Sequence, residues 1–230
     1  MRLPPLVAGT LVKRYKRFLA DVLLDDGCEV TAHCPNSGSM KGCATPGSRV
    51  FLSRSPNLKR KYPFGWELVQ ADGCWAGINT GLPNQLTREG IENGTVTELQ
   101  GYATIRPEVP YGERSRIDLL LEGASGRCFV EVKNVTLVEN GRALFPDAVT
   151  IRGQKHLREL MRVVSAGDRG VIFFTVQRDD GNAVSPADMI DPEYGRLLRQ
   201  ALDNGVEALA YRALVTPEEI RLTERLPVMV

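Results

Sequence analysis

Three charged residues stand where a β-hairpin should be apolar. The stretch SRIDLLLEGASGRCFVEVKNVTL, residues 115–137, reads as two strands joined by a glycine-flanked turn. Asp118 lies in the first strand, and Glu131 and Lys133 lie in the second. A turn centred on Ala124-Ser125 puts Asp118 opposite Glu131 and Leu120 opposite Phe129. Side chains alternate along a strand, so Glu131 and Lys133 share a face. Directly opposed residues have Cβ atoms ~5 Å apart, and like charges there weaken a sheet. A divalent cation removes that repulsion, and oxygen-only donors suit Mg²⁺ or Mn²⁺. Lys133 would then orient or activate a water, or balance charge developing on a phosphate. The same register sets Arg116 against Lys133, which either splays the strands or leaves room for a phosphate between the two cations. The ordinary alternative is that these charges sit at solvated strand ends.

Other stretches carry chemistry suited to a polyanion. LVKRYKRF places Lys13, Tyr15 and Arg17 on one face of an extended strand and Arg14, Lys16 and Phe18 on the other. Cations interleaved with rings suit single-stranded nucleic acid, the cations tracking phosphates and the rings stacking on bases. At least one of Tyr15 and Phe18 is expected in a core. RSPNLKRKYPFGW repeats the combination with Arg54, Lys59, Arg60 and Lys61. In HCPNSGSMKG, Asn36, Ser37 and Gly38 favour a turn whose amides suit an anion, although a plain inter-strand loop has the same composition. In FPDAVTIRGQKHLREL, helical spacing puts Arg152, His156 and Glu159 on one face. Arg152 and Lys155 near the helix start suit a phosphate, and His156 suits a proton carrier. Asp147 either caps this segment or joins the metal site.

These groups need a framework to hold them. The first 80 or so residues read as short strands. AGTLVKRYKRFLADVLL is expected as one long strand, turning at Asp-Asp-Gly into CEVTAHC. SRVFLSRS and YPFGWELVQADGCWAGIN continue the series, with turns at Thr45-Pro46-Gly47 and Asp72-Gly73. The pattern predicts a small barrel over residues 1–82, ending in the breaker-rich NTGLPNQL. Residues 83–230 predict a mixed α/β domain. LPNQLTREGIENGTVTEL is helical in part. DAVTIRGQKHLRELMRVVSAG is a helix with Leu157, Leu160, Met161 and Val164 on one face. GVIFFTVQ is a strand buried on both sides, DPEYGRLLRQALDNG a helix with a Gly stop, and VEALAYRALVT a strand. This order predicts a mixed sheet flanked by helices.

Composition narrows the class. Of the 230 residues 43% are hydrophobic and 25% charged, as in a soluble globular chain. No apolar run approaches the ~20 residues of a membrane helix, and the proline-containing N-terminus does not read as a signal peptide. A cytoplasmic protein with no membrane partner is expected. Five cysteines do not pair off, and Cys28, His33, Cys34 and Cys43 lack zinc-ligand spacing, so ordinary thiols are expected. The net charge of +1 hides an asymmetry. Residues 1–90 carry 12 Lys and Arg against 7 Asp and Glu, and residues 91–230 carry 17 against 21. A basic first part suits a polyanion and an acidic second part suits metal ions.

The spacing D-x(12)-E-V-K resembles the D…(D/E)-x-K signature of restriction-endonuclease-like nucleases. With it, KRYKRFLADV, HCPNSGSM, SRIDLLL, EVKNVTL and FPDAVTIRGQKHLREL resemble the sugar fermentation stimulation protein A (SfsA) family over nearly the whole chain. The resemblance implies an N-terminal OB-fold-like barrel and a C-terminal nuclease-like domain. It also implies DNA binding, single- or double-stranded, with little sequence preference, and a regulatory role in sugar use, maltose especially. The nuclease signature falls on Asp118, Glu131 and Lys133. Related nucleases add a carboxylate from the first helix, for which Glu98 is the nearest candidate and Glu113 the second. Three readings follow: a DNA-binding regulator, an active Mg²⁺-dependent deoxyribonuclease, and a protein-interaction regulator without catalysis.

Overall fold

The computed structural model describes residues 1–57, 59–113 and 115–230. Six strands form the N-terminal unit: β1 (Leu6–Tyr15), β2 (Leu19–Leu24), β3 (Glu29–His33), β4 (Arg49–Arg54), β5 (Phe64–Ala71) and β6 (Cys74–Gly77). They are ordered β3-β2-β1-β4-β5-β6. A short parallel pairing of Ala32 with Phe64 and His33 with Gly65 closes β1–β5 into an OB barrel. Its core is built by Leu11, Val22, Leu52, Trp66 and Val69, all of them buried. The Trp66 indole N–H meets the Leu68 carbonyl at 2.9 Å, so the largest core ring buries no unpaired donor. Asp72 and Gly73 both adopt positive φ, 51° and 86°, the turn geometry that joins β5 to β6 with the right twist.

The expected long strand from residue 8 to 24 is broken. Lys16 and Arg17 sit at φ 51° and 66° and turn β1 into β2. No Gly, Pro or Asn marks this turn, so local composition did not reveal it. A bulge between Leu11 and Lys13 also shifts the alternation within β1. The two-face assignment of residues 13–18 therefore fails. Neither ring is in the core: Tyr15 is half-buried and Phe18 is exposed.

The C-terminal unit begins with α1 (Pro83–Glu92) and is built on a second sheet. Its strands are β7 (Thr104–Tyr111), β8 (Ser115–Gly123), β9 (Gly126–Val135), β12 (Arg169–Val176), β14 (Glu207–Val215) and β15 (Ile220–Leu226). They are ordered β15-β14-β12-β9-β8-β7, with β9, β12 and β14 parallel and the outer pairings antiparallel. Pro107 and Pro110 lie on β7, an edge strand, where missing N–H groups do least harm. A three-stranded sheet of β10 (Leu137–Glu139), β11 (Arg142–Phe145) and β13 (Ala183–Pro186) stands beside it. Together with the helices these strands form the mixed α/β domain expected over residues 83–230.

Helices cover both faces of the large sheet. On one, Leu86 and Ile91 of α1 pack with Leu119, Leu121, Val130 and Phe173. On the other, α2 (Ile151–Ser165) and α3 (Pro192–Asp203) bring Leu157, Leu160, Tyr194 and Leu197 onto Leu120, Phe129, Ile172 and Phe174. Even and odd residues of β12 thus face different cores, as GVIFFTVQ predicted. The N-terminal residues 1–5 belong physically to this unit: the Met1 ammonium meets Glu89 and the Ile220 carbonyl, and Leu3 packs into the α1-side core. No helix among the described residues is long and apolar enough to cross a membrane.

The starts of α2 and α3 are tied together. Thr150 caps α2 by accepting the Gly153 N–H. Asp191 caps α3 through the Tyr194 N–H and also accepts the Thr150 N–H and the Gln154 amide. Asp191→Ala strands those buried donors and removes a cap, a cost of about 2–4 kcal/mol. Thermal denaturation should show Tm lower by roughly 5–15 °C, with Asp191→Asn recovering only part of it, because one of the two accepting oxygens becomes an NH2 facing a donor.

Candidate metal and nucleic-acid site

The β8–β9 ladder runs from Gly123–Gly126 to Leu119–Val130, in the register expected from the sequence, and stops there. The next pair would be Asp118 with Glu131. Instead the strands open, and an Asp118 carboxylate oxygen accepts the Val132 N–H at 2.7 Å. A side chain thus takes the place of the ladder partner. Arg116 turns away to the Glu108 carbonyl at 2.9 Å, so its clash with Lys133 is relieved by the splay.

Asp118, Glu131 and Lys133 line one cavity of about 630 Å³, where the barrel meets the second domain. Glu131 is only 2% exposed. Its Oε1 accepts Lys133 Nζ at 2.7 Å and a close contact from His156 Nδ1. The Arg152 guanidinium donates to His156 Nε2 at 3.3 Å. This assigns the acceptor role to Nε2 and the proton to Nδ1. Glu131 Oε2, by contrast, is buried and has no partner. Asn84, at the start of α1, donates to the other oxygen of Asp118 at 2.9 Å.

The two carboxyls titrate apart. Burial, and then the Glu131 charge, raise Asp118 above the usual range despite the Val132 N–H, Lys133 and Asn84. Burial also pushes Glu131 upward, but Lys133 and His156 outweigh it and hold the group low. One carboxylate stays ionised and its neighbour resists ionisation, as expected of like charges forced together. An orphaned carboxylate oxygen beside a second carboxylate fits a hard dication. Asp118 and Glu131 Oε2 are the groups that would hold it.

The remaining candidates divide. Arg17 and Arg152 line the cavity. Arg14 also lines it, but its guanidinium is committed to the carbonyls of Arg17, Asn36 and Gly38 at 2.7–2.9 Å. It is a clamp on the 36–39 loop and not a free phosphate ligand. A Cβ on Gly38 would come within 2.9 Å of the Asn36 side-chain oxygen and 3.1 Å of an Asp147 carboxylate oxygen, so a larger residue here would have to displace them. Asp147 neither caps α2 nor meets the carboxylates. It accepts the Met40 N–H at 2.9 Å and the Ser39 hydroxyl at 3.0 Å, fastening the barrel loop to the second domain.

Glu98 is excluded as a ligand: it pairs with the Tyr211 hydroxyl at 2.6 Å and Arg225 at 2.9 Å. Glu113 is exposed, with Arg162 3.6 Å away, while its carbonyl takes Lys155 Nζ. Lys155 is thereby occupied. Lys13 pairs with Asp21 at 3.5 Å, which also accepts the Tyr15 hydroxyl. Lys16 is exposed at the β1–β2 turn, and Lys59, Arg60 and Lys61 lie in the β4–β5 loop outside the cavity. Glu159 is buried and accepts the Glu113 N–H. Asn84 was missed because an acidic residue was sought from the first helix. The Pro at the helix start was visible, but the side chain's reach to Asp118 depends on how α1 meets the sheet.

Residues 81–219 match the family described as the sugar fermentation stimulation protein RE domain, and residues 12–78 match the SfsA N-terminal OB domain. The chain belongs to the sugar fermentation stimulation protein family. A sugar fermentation stimulation protein homolog of Pelobacter propionicus is 80% identical, covering 100% of both chains. A homolog from Geobacter sulfurreducens is 78% identical, covering 98% of this chain and 97% of its own. The structure of Pyrococcus furiosus SfsA in complex with Ca²⁺ superposes with a TM-score of 0.91 at 28% identity, covering 100% of this chain and 98% of the other. The family's two domains thus coincide with the barrel and the α/β unit described above.

Raising the Asp118 pKa on folding means that the folded chain binds a proton more tightly than the unfolded one. Stability is therefore lost as pH rises from the unfolded value, ~3.9, through the folded one, and the loss is complete above it. Asp118→Asn removes that loss. In EDTA, its Tm should match wild type near pH 4 and exceed it near pH 7, by ~2–4 °C for each kcal/mol relieved. A lower Tm for the variant at pH 7 would show that the carboxylate is not strained by its neighbour.

Proposed function

We propose that the protein is a metal-dependent DNA phosphodiesterase with little sequence preference. The observation that carries this reading is the unpartnered Glu131 Oε2 beside Asp118, with Lys133 Nζ bonded to the same carboxylate. Mg²⁺ or Mn²⁺ held by Asp118 and Glu131 would supply Lewis acidity to phosphate and water. The relative from Pyrococcus furiosus was solved in complex with Ca²⁺, a cation that takes oxygen ligands, which supports a dication here.

The chain's own groups account for the rest. His156 and Lys133 occupy Glu131 Oε1 and leave Oε2 as the unpartnered donor atom. Among the described residues Lys133 is the one amine on the carboxylates, and it would balance the extra charge of a phosphorane-like transition state. Arg17 from the barrel and Arg152 from α2 both line the cavity and would orient the phosphate. In an OB barrel the β1–β2 and β4–β5 loops flank the nucleic-acid surface. Here the first carries Lys16 and Arg17 and the second Lys59, Arg60 and Lys61. The β3–β5 closure sets Phe64 beside Ala32, and β2–β3 pairing sets His33 beside Leu19, so both loops open on the same flank. Their charges meet phosphates and read no bases, which gives low sequence preference. The relatives' names tie the family to sugar fermentation, and a regulatory role there, in maltose use for example, would be exerted through this DNA surface.

Two experiments test the reading. Labelled single-stranded, duplex and branched DNA incubated with Mg²⁺ or Mn²⁺ should be cleaved, and EDTA should stop it. Asp118→Asn should remove cleavage while DNA binding persists or rises, because a negative charge near the phosphates is gone. Lys133→Ala should lower the rate about 10²–10³-fold with little change in metal affinity. No cleavage by wild type with either metal on any substrate would leave a DNA-binding regulator without hydrolysis. The second experiment is a salt titration. Lys16→Gln with Arg17→Gln should weaken binding and reduce the slope of log K against log salt by about 1.4, at ~0.7 per phosphate contact on a single strand.

A further inference from the structure

Eight large apolar side chains are exposed among the described residues; Val149 lines this cavity, and Phe18 and Ile151 are chain neighbours of residues that do. Phe18, 49% exposed, follows Arg17 at the β1–β2 turn on the barrel side. Val149, 64% exposed, lines the cavity itself, and Ile151, 70% exposed, stands between the lining residues Thr150 and Arg152. A charged cavity is thus flanked by an aromatic rim on the barrel and an aliphatic rim at the start of α2.

The aromatic rim is held in place. Lys16 and Arg17 occupy left-handed backbone conformations that L-residues disfavour. The turn is pinned by Arg14 on the Arg17 carbonyl at 2.7 Å and by the Cys34 N–H on the Phe18 carbonyl at 2.8 Å. This strained backbone sends Arg17 to the cavity and leaves the next ring in solvent. Strain maintained in the two residues before an exposed ring points to function.

A duplex presents sugar and phosphate on its outside, and its base faces are stacked on one another. Apolar rims would meet nothing there. An unpaired strand exposes base faces on both sides of each phosphate, and aromatic platforms beside a cationic groove are how such strands are held. The cavity volume, about 630 Å³, is that of a small-molecule site and suits a nucleotide unit rather than two paired strands. Resting on the DNA reading above, we propose that the site takes an unpaired single strand, one phosphate lying in the cavity between Arg17 and Arg152, one flanking base stacked on Phe18 and another against Val149 and Ile151.

The test is fluorescence anisotropy of the full chain with a dye-labelled oligothymidylate and with a mixed-sequence duplex of equal length, in EDTA and in Ca²⁺. The single strand should bind at least tenfold more tightly than the duplex. Phe18→Ala should weaken single-strand binding about 5- to 150-fold, the loss of one stacked base, and leave duplex binding unchanged. Phe18→Trp should restore affinity and add emission that the single strand quenches. Val149→Ser with Ile151→Ser should weaken single-strand binding independently. All three side chains changed are exposed, and circular dichroism with Tm equal to wild type confirms that the fold is kept. Unchanged single-strand affinity in both rim variants, or equal affinity for duplex, overturns the proposal and leaves the DNA reading standing. Absence of binding to either DNA overturns both. A concentration-dependent dimer in sedimentation that Phe18→Ala dissolves would assign the rims to a second copy of the chain and overturn the proposal as well.

Discussion

The opening of β8 from β9 is the constraint on which the site depends. Two carboxylates cannot face each other across an intact ladder at ~5 Å without mutual repulsion. The chain meets this by ending the pairing one residue early and giving the freed Val132 N–H to Asp118. Glu131 is compensated from the other side, by Lys133 on its own strand and His156 on α2. Compensation covers only one oxygen of Glu131. A buried carboxylate oxygen left bare is costly in a folded core, so its retention is intelligible where a cation or a phosphate-bound partner completes it.

That arrangement demands that several elements be fixed relative to one another. The Asp191 cap, with its bonds to Thr150 and Gln154, sets the start of α2 and hence the height of Arg152 and His156 over the sheet. The barrel is fastened by a different set of bonds. Asp147 holds the 39–40 backbone, Thr80 meets the Pro35 carbonyl at 2.9 Å, and the Gly77 N–H meets the Gln177 carbonyl at 3.2 Å. Arg178, buried between the domains, bridges Asp72 of the β5–β6 turn and Asp180. A buried guanidinium left without those carboxylates would be a large penalty, so this junction resists separation. The positively charged turn of the barrel is therefore presented to the carboxylates as part of one surface.

Much of this was legible in residue order, and for local reasons. The hairpin register followed from its turn, since a two-residue period and a Gly-flanked reversal leave one pairing that keeps Leu119, Leu121 and Val130 on one face. The continuous apolar run of β12 announced a central strand, and i, i+4 spacing put Arg152 and His156 together on α2. The β1–β2 turn was not legible, because Lys16 and Arg17 are held in left-handed conformations by Arg14 and Cys34 from outside the turn. The edge strands β7 and β15 were also hidden: β7 carries two prolines, and β15 is charged along its exposed side.

The sequence by itself determined which groups could do the chemistry and which strand pair would carry them: Asp118, Glu131 and Lys133 are set by alternation and turn position alone, both of which are short-range properties. Tertiary structure decided which other polar groups join them. Glu98 and Arg225 meet across distant segments, Asp147 and Arg14 are used up in holding the barrel loop, and Asn84, Arg17 and His156 arrive from α1, the barrel and α2. A side chain's partners are fixed by packing between elements far apart in the chain. Residue type states only what a group could bind, and the fold settles what remains free to do so.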